Sequence, residues 1–239
     1  MYELYIGNKN YSSWSLRPWL LMQQLGISFH ERLVPFGDGA FEAFSPSGKV
    51  PCLVDGPRLL WDSLGITEYL AERHAGVWPA DPDARAWARC AAAEMHSGFG
   101  ALRERCTMNL GIRVRLDAMP PSLAREIARI DALWQQGLDR FGGPFLAGSV
   151  FTAADAFFAP VAFRFMIYGI ETSAPANAYA ARLRMLGPMR AWYEAAIAEH
   201  WRDPEHEEEA RRAGSWTADL RSQPHRRRDS ASSSTAAIT

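Results

Sequence analysis

The sequence predicts an α/β domain followed by an all-helical one, on three observations. Up to about His74 the apolar residues switch repeatedly between strand-like alternation and helix-like spacing. Pro79 and Pro82 then interrupt the pattern. Beyond them the chain turns alanine-rich with helical periodicity throughout. The expected units are residues 1–78, residues 83–212, and a disordered tail at 223–239.

Tyr2, Leu4 and Ile6 alternate with polar neighbours and predict a first strand, and the run from Trp14 to Leu25 predicts a helix. Residues 27–34, 52–54 and 59–61 read as further strands. Asp55-Gly56 between the last two is a hairpin signal, so these strands are expected to be antiparallel. Ile66, Tyr69 and Leu70 share one face of the helix that follows. In the second unit, helices are expected at 84–106, 122–141, 153–170, 178–186 and 189–200, separated by Pro120-Pro121, Gly142-Gly143-Pro144, 172–175 and Gly187-Pro188. After about Gln223, His225-Arg226-Arg227-Arg228 and a Ser/Ala/Thr stretch have too little apolar surface to fold.

A chain of 239 residues with 48% hydrophobic content can build a sizeable core. Its formal net charge of -1 gives no global attraction for nucleic acid or an anionic membrane, and no apolar stretch is long enough to span a bilayer. The first residues do not read as a signal peptide. Cys52, Cys90 and Cys106 are odd in number and lack metal-ligand or CxxC spacing, which predicts buried thiols, no metal and a cytoplasmic setting. His200 and His206 beside the acidic run 205–209 do not share a helical face, so that segment reads as a solvated helix.

Three motifs carry chemistry. The turn Asn10-Tyr11-Ser12-Ser13-Trp14-Ser15 joins the first strand to the first helix. Hydroxyls meet free backbone N–H groups and the positive end of a helix dipole there, which suits an anion or a thiolate. In Lys49-Val50-Pro51 the proline belongs at the first position of a strand, where a cis or a trans bond is open, and the Val50 backbone can pair with an extended peptide. Asp62-Ser63 opens the next helix with a carboxylate, a hydroxyl and free N–H groups, enough to grip both charges of an amino acid. Each motif alone also has an ordinary explanation, helix capping for the two at helix starts and a strand-start proline for Val50-Pro51. A small peptide thiol fits all three.

With these motifs in this order the chain resembles the glutathione transferase superfamily, over about residues 1–200. Ser12 to Arg17 is similar to the start of its zeta class, as found in serine-type bacterial members. Residues 45–51 resemble the loop before the family's cis-proline, and Gly148 to Asp155 a helix-capping motif in which Thr152 caps and Asp155 answers. The resemblance implies a thioredoxin-like N-terminal domain, an all-α C-terminal domain and a homodimer. It implies a detoxifying glutathione S-transferase that activates the glutathione thiol against a small hydrophobic electrophile, with glutathione as co-substrate and no metal, nucleic acid or membrane partner.

Carried over by position, Ser12 is the catalytic serine with Ser13 as fallback, and Arg17 contributes at longer range. Val50 and Pro51 pair with the cysteinyl backbone, Asp62 and Ser63 hold the γ-glutamyl end, and Lys49 reaches the glycyl carboxylate. Trp14, Met95, His96, Phe99 and Met108 are candidates for the electrophile pocket. A free thiol titrates near ~8.5, and lowering that by ~2 units corresponds to ~2.7 kcal/mol of preferential thiolate stabilisation. The zeta pattern has cysteine where this chain has Trp14, which argues against zeta isomerase chemistry and redox exchange. Two alternatives stand beside conjugation: a non-catalytic glutathione-binding or interaction module, and a glutathione-dependent cis-trans isomerase.

Overall fold

A computed structural model describes residues 1–37 and 39–221; the tail expected at 223–239 lies outside them. The N-terminal region runs β1 (Tyr2–Ile6), α1 (Ser13–Gln24), β2 (Phe29–Leu33), β3 (Cys52–Asp55), β4 (Arg58–Leu60) and α2 (Ser63–Ala71). The strands form one sheet in the order β2-β1-β3-β4. β1 and β2 are parallel, because α1 carries the chain back across the sheet between them. β3 and β4 are antiparallel, as the Asp55-Gly56 turn requires. Leu4 and Ile6 of β1 meet Leu16 and Leu20 of α1 and Leu53 of β3 in a core from which water is excluded.

The chain continues through α3 (Pro82–Ser97), α4 (Gly100–Arg105), β5 (Ile112–Leu116), α5 (Pro121–Phe141), α6 (Ala153–Tyr168), α7 (Ala174–Met185), α8 (Gly187–Ala198), α9 (Pro204–Ala213) and β6 (Gly214–Asp219). Helix α6 is apolar on nearly every face, and all of it but Met166 is buried, so it forms the axis of the helical region. Asp155 fastens its start. The carboxylate accepts the Thr152 N–H at 2.9 Å, the Leu146 N–H at 3.0 Å and the Tyr179 hydroxyl at 2.8 Å.

Four features differ from the sequence-based expectation. The single helix expected over 84–106 is two, since Gly98 ends α3 and Phe99 stands in the left-handed region at φ 57°. A Cβ at Gly98 would meet the Glu94 carbonyl oxygen at 2.8 Å, so the break needs glycine there. The helical region also contains an antiparallel pair, β5 with β6, whose Ile112-Arg113-Val114-Arg115-Leu116 alternation is a strand signal in plain view. Helix α9, expected as a solvated helix, instead buries Glu207 and Ala210. Of the three thiols expected to be buried, Cys52 and Cys106 are buried and Cys90 is exposed on α3.

Candidate active site

The turn before α1 is fastened from the far end of the chain. Glu199 accepts the Lys9 N–H at 2.6 Å and the Asn10 N–H at 3.2 Å, and the Trp192 indole donates to the Lys9 carbonyl at 2.9 Å. Asn10 exchanges further hydrogen bonds with Asn109 and Gly111. The Tyr11 hydroxyl donates to Glu207 at 2.7 Å. Arg221 and Asn109 also donate to Glu207; burial acts to raise its pKa, and these donors bring it below the usual carboxylate value. Two backbone N–H groups and a phenol are thus satisfied by carboxylates of the C-terminal segment, which fixes where Ser12 stands.

Ser12 is the N-cap of α1. Its hydroxyl donates to the Ser15 hydroxyl at 2.7 Å and accepts the Ser15 N–H at 3.4 Å. Ser13 accepts a hydrogen bond from Arg164 Nη2 at 3.1 Å. Both serines line a cleft of about 300 Å³. Lys49 and Val50 form one side of it, and Val50–Pro51 is cis. Arg103, Thr107, Met108 and Arg164 also line it. Tyr11, Trp14, Phe36 and Phe41 give it aromatic walls, and His206 and Glu209 of α9 border it.

Asp62 and Ser63 lie at the N-terminus of α2 and are not part of the lining of this cleft. Asp62 caps the helix, accepting the Leu64 and Gly65 N–H groups, and its second oxygen lies 3.1 Å from His96 Nε2. Ser63 is fully buried, and its hydroxyl has no hydrogen-bond partner among the described residues. An orphaned hydroxyl beside a half-exposed carboxylate suits the amino-acid end of a peptide ligand.

Of the expected electrophile-pocket residues, Trp14 and Met108 stand on the cleft wall. Met95 and Phe99 are buried in the core instead, Met95 on the inner face of α3 with Ala88, Ala91 and Ala92. His96 is wedged between Asp62 and the Trp14 ring, with ring centroids 5.3 Å apart, and does not border the cleft. Its pKa is lowered by burial, with Arg17 and Arg103 adding to the effect and Asp62 opposing it. Arg17 is buried between Trp14 and Phe157, its guanidinium carbon 4.0 Å and 4.9 Å from the ring centroids. Burial pushes its pKa down to about 9, and its Nε and Nη1 have no partner among the described residues.

Arg103, Arg164 and His206 were not anticipated. Arg164 had a signal, the one basic residue inside the largely apolar helix α6. His206 had none. It was expected on a solvated helix, and it reaches the cleft because α9 packs back over the turn, laying the imidazole on Tyr11 and Phe36 at centroid distances of 5.0 Å. Among the described residues no cluster of His, Cys, Asp and Glu is placed to hold a metal ion, and no helix is long and apolar enough to cross a membrane.

Residues 11–73 match the family model described as glutathione S-transferase, N-terminal domain. Glutathione S-transferase 3 of Zea mays is 28% identical over 153 residues, 57% of this chain and 66% of that protein. A zeta-class glutathione S-transferase of Euphorbia esula is 32% identical over 123 residues, 50% of this chain and 55% of the relative. The matched stretch therefore spans between about half and two thirds of these relatives. Among solved structures, a glutathione transferase homologue from Burkholderia with bound glutathione superposes with a TM-score of 0.64 at 22% identity, over 82% of this chain and 97% of that one. A maleylacetoacetate isomerase from Methylobacterium extorquens, with bound malonate and glutathione, gives 0.60 at 24% identity, over 80% and 95%. At these identities the structural likeness is one of fold.

Proposed function

Since this chain belongs to the glutathione S-transferase superfamily, we propose that it binds glutathione along the edge formed by Val50 and activates its thiol at the N-terminus of α1 for attack on a small electrophile. The observation that carries this reading is the meeting of Ser12, Lys49 and Val50 on one cleft, with the orphaned Ser63 hydroxyl at the start of the neighbouring helix. In this arrangement the cysteinyl backbone pairs with Val50. The γ-glutamyl ammonium meets Asp62 and its carboxylate meets the Ser63 hydroxyl at the positive end of the α2 dipole. Lys49 takes the glycyl carboxylate.

Ser12 sits on the axis of α1, where the helix dipole already favours negative charge. Exchanging its hydrogen bond from Ser15 to the sulfur adds a charge-assisted donor to the thiolate, and serine itself never ionises. Ser13 faces the other way, its oxygen engaged by Arg164, and serves the side of the cleft where the electrophile enters. The assembly is a homodimer, which sedimentation of the purified chain tests. For the central reading, calorimetry with glutathione and turnover of a model aryl halide are the test. Binding and turnover that both fall in Ser12→Ala and Ser63→Ala support it, and a chain that binds no glutathione contradicts it.

A further inference from the structure

A thiol that ionises gives up a proton, and one imidazole borders the cleft where this happens. His206 stands on the first turn of α9 with its ring against Tyr11 and Phe36, the centroids 5.0 Å away in each case. Its Nδ1 lies 2.6 Å from the Asp203 carboxylate, and the same carboxylate oxygen accepts the His206 backbone N–H at 3.1 Å. Its Nε2 makes no hydrogen bond among the described residues. Asp203 is itself held in place: it caps α9, and its backbone N–H donates to the Tyr11 hydroxyl at 3.4 Å.

A carboxylate on one ring nitrogen makes that nitrogen the donor, so the neutral ring carries its proton on Nδ1 and keeps a lone pair at Nε2. Imidazole is also the side chain whose ordinary titration lies nearest neutrality, which suits it to take up and return a proton. Glu209 borders the cleft too, but carboxylates ordinarily titrate far below a thiol, and Glu209 acts on Arg164. The other charged groups on the cleft, Lys49, Arg103 and Arg164, are cations with no acceptor to offer.

We propose that His206 is the proton acceptor for the glutathione thiol, with Asp203 as its positioning residue, so that the cleft holds thiolate and imidazolium as a pair. This rests on the glutathione reading above and adds the base to it. The sulfur–hydrogen bond breaks, its electron pair stays on sulfur, and the proton moves to Nε2. The new cation then lies against the Asp203 carboxylate and the rings of Tyr11 and Phe36. When the sulfur attacks an aryl halide it bonds to the carbon, the halide leaves with its electron pair, and the imidazolium passes its proton to water.

Counting protons tests this. Calorimetry of glutathione binding at about pH 7.5, in buffers of different ionisation heat, gives the protons released, and ultraviolet absorbance gives the thiolate formed. In the wild type the thiolate is expected to form with almost no net release. In His206→Gln and His206→Phe each thiolate formed is expected to release about one proton to the buffer. His206→Gln keeps a donor for Asp203 and His206→Phe keeps the aromatic stack, so agreement between them assigns the effect to the proton and not to packing. A wild type that releases about one proton per thiolate overturns the proposal. So do variants that release none, which would place the proton on another group such as Glu209.

The ring nitrogen chemical shifts of His206, measured without glutathione in alkaline buffer, give a second readout. The neutral Nδ1–H tautomer is expected in the wild type, and Asp203→Asn, which keeps the helix cap, is expected to shift population towards Nε2–H. An Nε2–H tautomer in the wild type leaves no lone pair facing the thiol and overturns the proposal. Glutathione that does not bind, or binds without forming thiolate in the wild type, contradicts the parent reading instead, and the tautomer still decides whether His206 is set as a base.

Discussion

The Ser12 hydroxyl donates to the Ser15 hydroxyl across 2.7 Å, and the same Ser15 oxygen accepts the Gly7 N–H at 3.2 Å. The hydrogen assigned to the thiolate is therefore parked on a neighbour that keeps another donor when Ser12 turns away. Removing that neighbour separates the structural from the catalytic contribution. Ser15→Ala leaves the buried Gly7 N–H unpaired and is expected to cost about 1–3 kcal/mol of stability. Urea denaturation measures that cost. The pKa of bound glutathione is expected to stay where it is or fall, since Ser12 has lost its competing acceptor; a rise would show that Ser15, and not Ser12, faces the sulfur.

Ser63 gives a second prediction with the opposite signature. Its hydroxyl is fully buried and has no partner among the described residues, so Ser63→Ala removes no hydrogen bond from the folded chain. Stability is expected to be unchanged or slightly raised, while KM for glutathione rises about tenfold, the worth of roughly one hydrogen bond to a charged group. Unchanged glutathione kinetics would take Ser63 out of the site.

Asp155 carries the start of the central helix. Its carboxylate is buried and accepts from Leu146, Thr152 and Tyr179. Asp155→Ala strands several buried donors at once, and a loss of about 3 kcal/mol or more is expected in a denaturation curve. A loss below about 1 kcal/mol would mean that these donors find other partners.

His96 makes the fold pH-sensitive near the proposed γ-glutamyl site. Burial holds its pKa below the ordinary value of 6.5, so the unfolded chain takes up the proton first as pH falls. The stability tied to neutral His96 is fully present above about pH 6.5 and is lost as pH falls through that value towards the lower folded pKa. Between about pH 7.5 and about pH 5 the denaturation midpoint of the wild type is expected to drop further than that of His96→Gln. Parallel profiles would remove His96 as the source.

Much of the N-terminal half of the site was legible in the sequence, because caps and turns are local. Ser12, Asp62 and the Asp55-Gly56 turn each act on a backbone within a few residues, and their roles follow from spacing. The other half was not, for a physical reason. Arg103 reaches the cleft only because the chain breaks at Gly98, and His206 only because α9 docks on Tyr11 through Glu207. Those are long-range contacts that no local period encodes. Met95, on the buried face of α3, and Phe99, just past the break, lie in the core and away from the cleft wall.

The central claim is that the Ser12 hydroxyl holds the thiolate of bound glutathione, and the most direct test is the ultraviolet thiolate absorbance titrated in the wild type, Ser12→Ala and Ser13→Ala. The account predicts a wild-type midpoint below the free value of about 8.5, a return towards about 8.5 in Ser12→Ala, and a smaller change in Ser13→Ala. A midpoint that Ser12→Ala leaves in place, or that only Ser13→Ala moves, would contradict it.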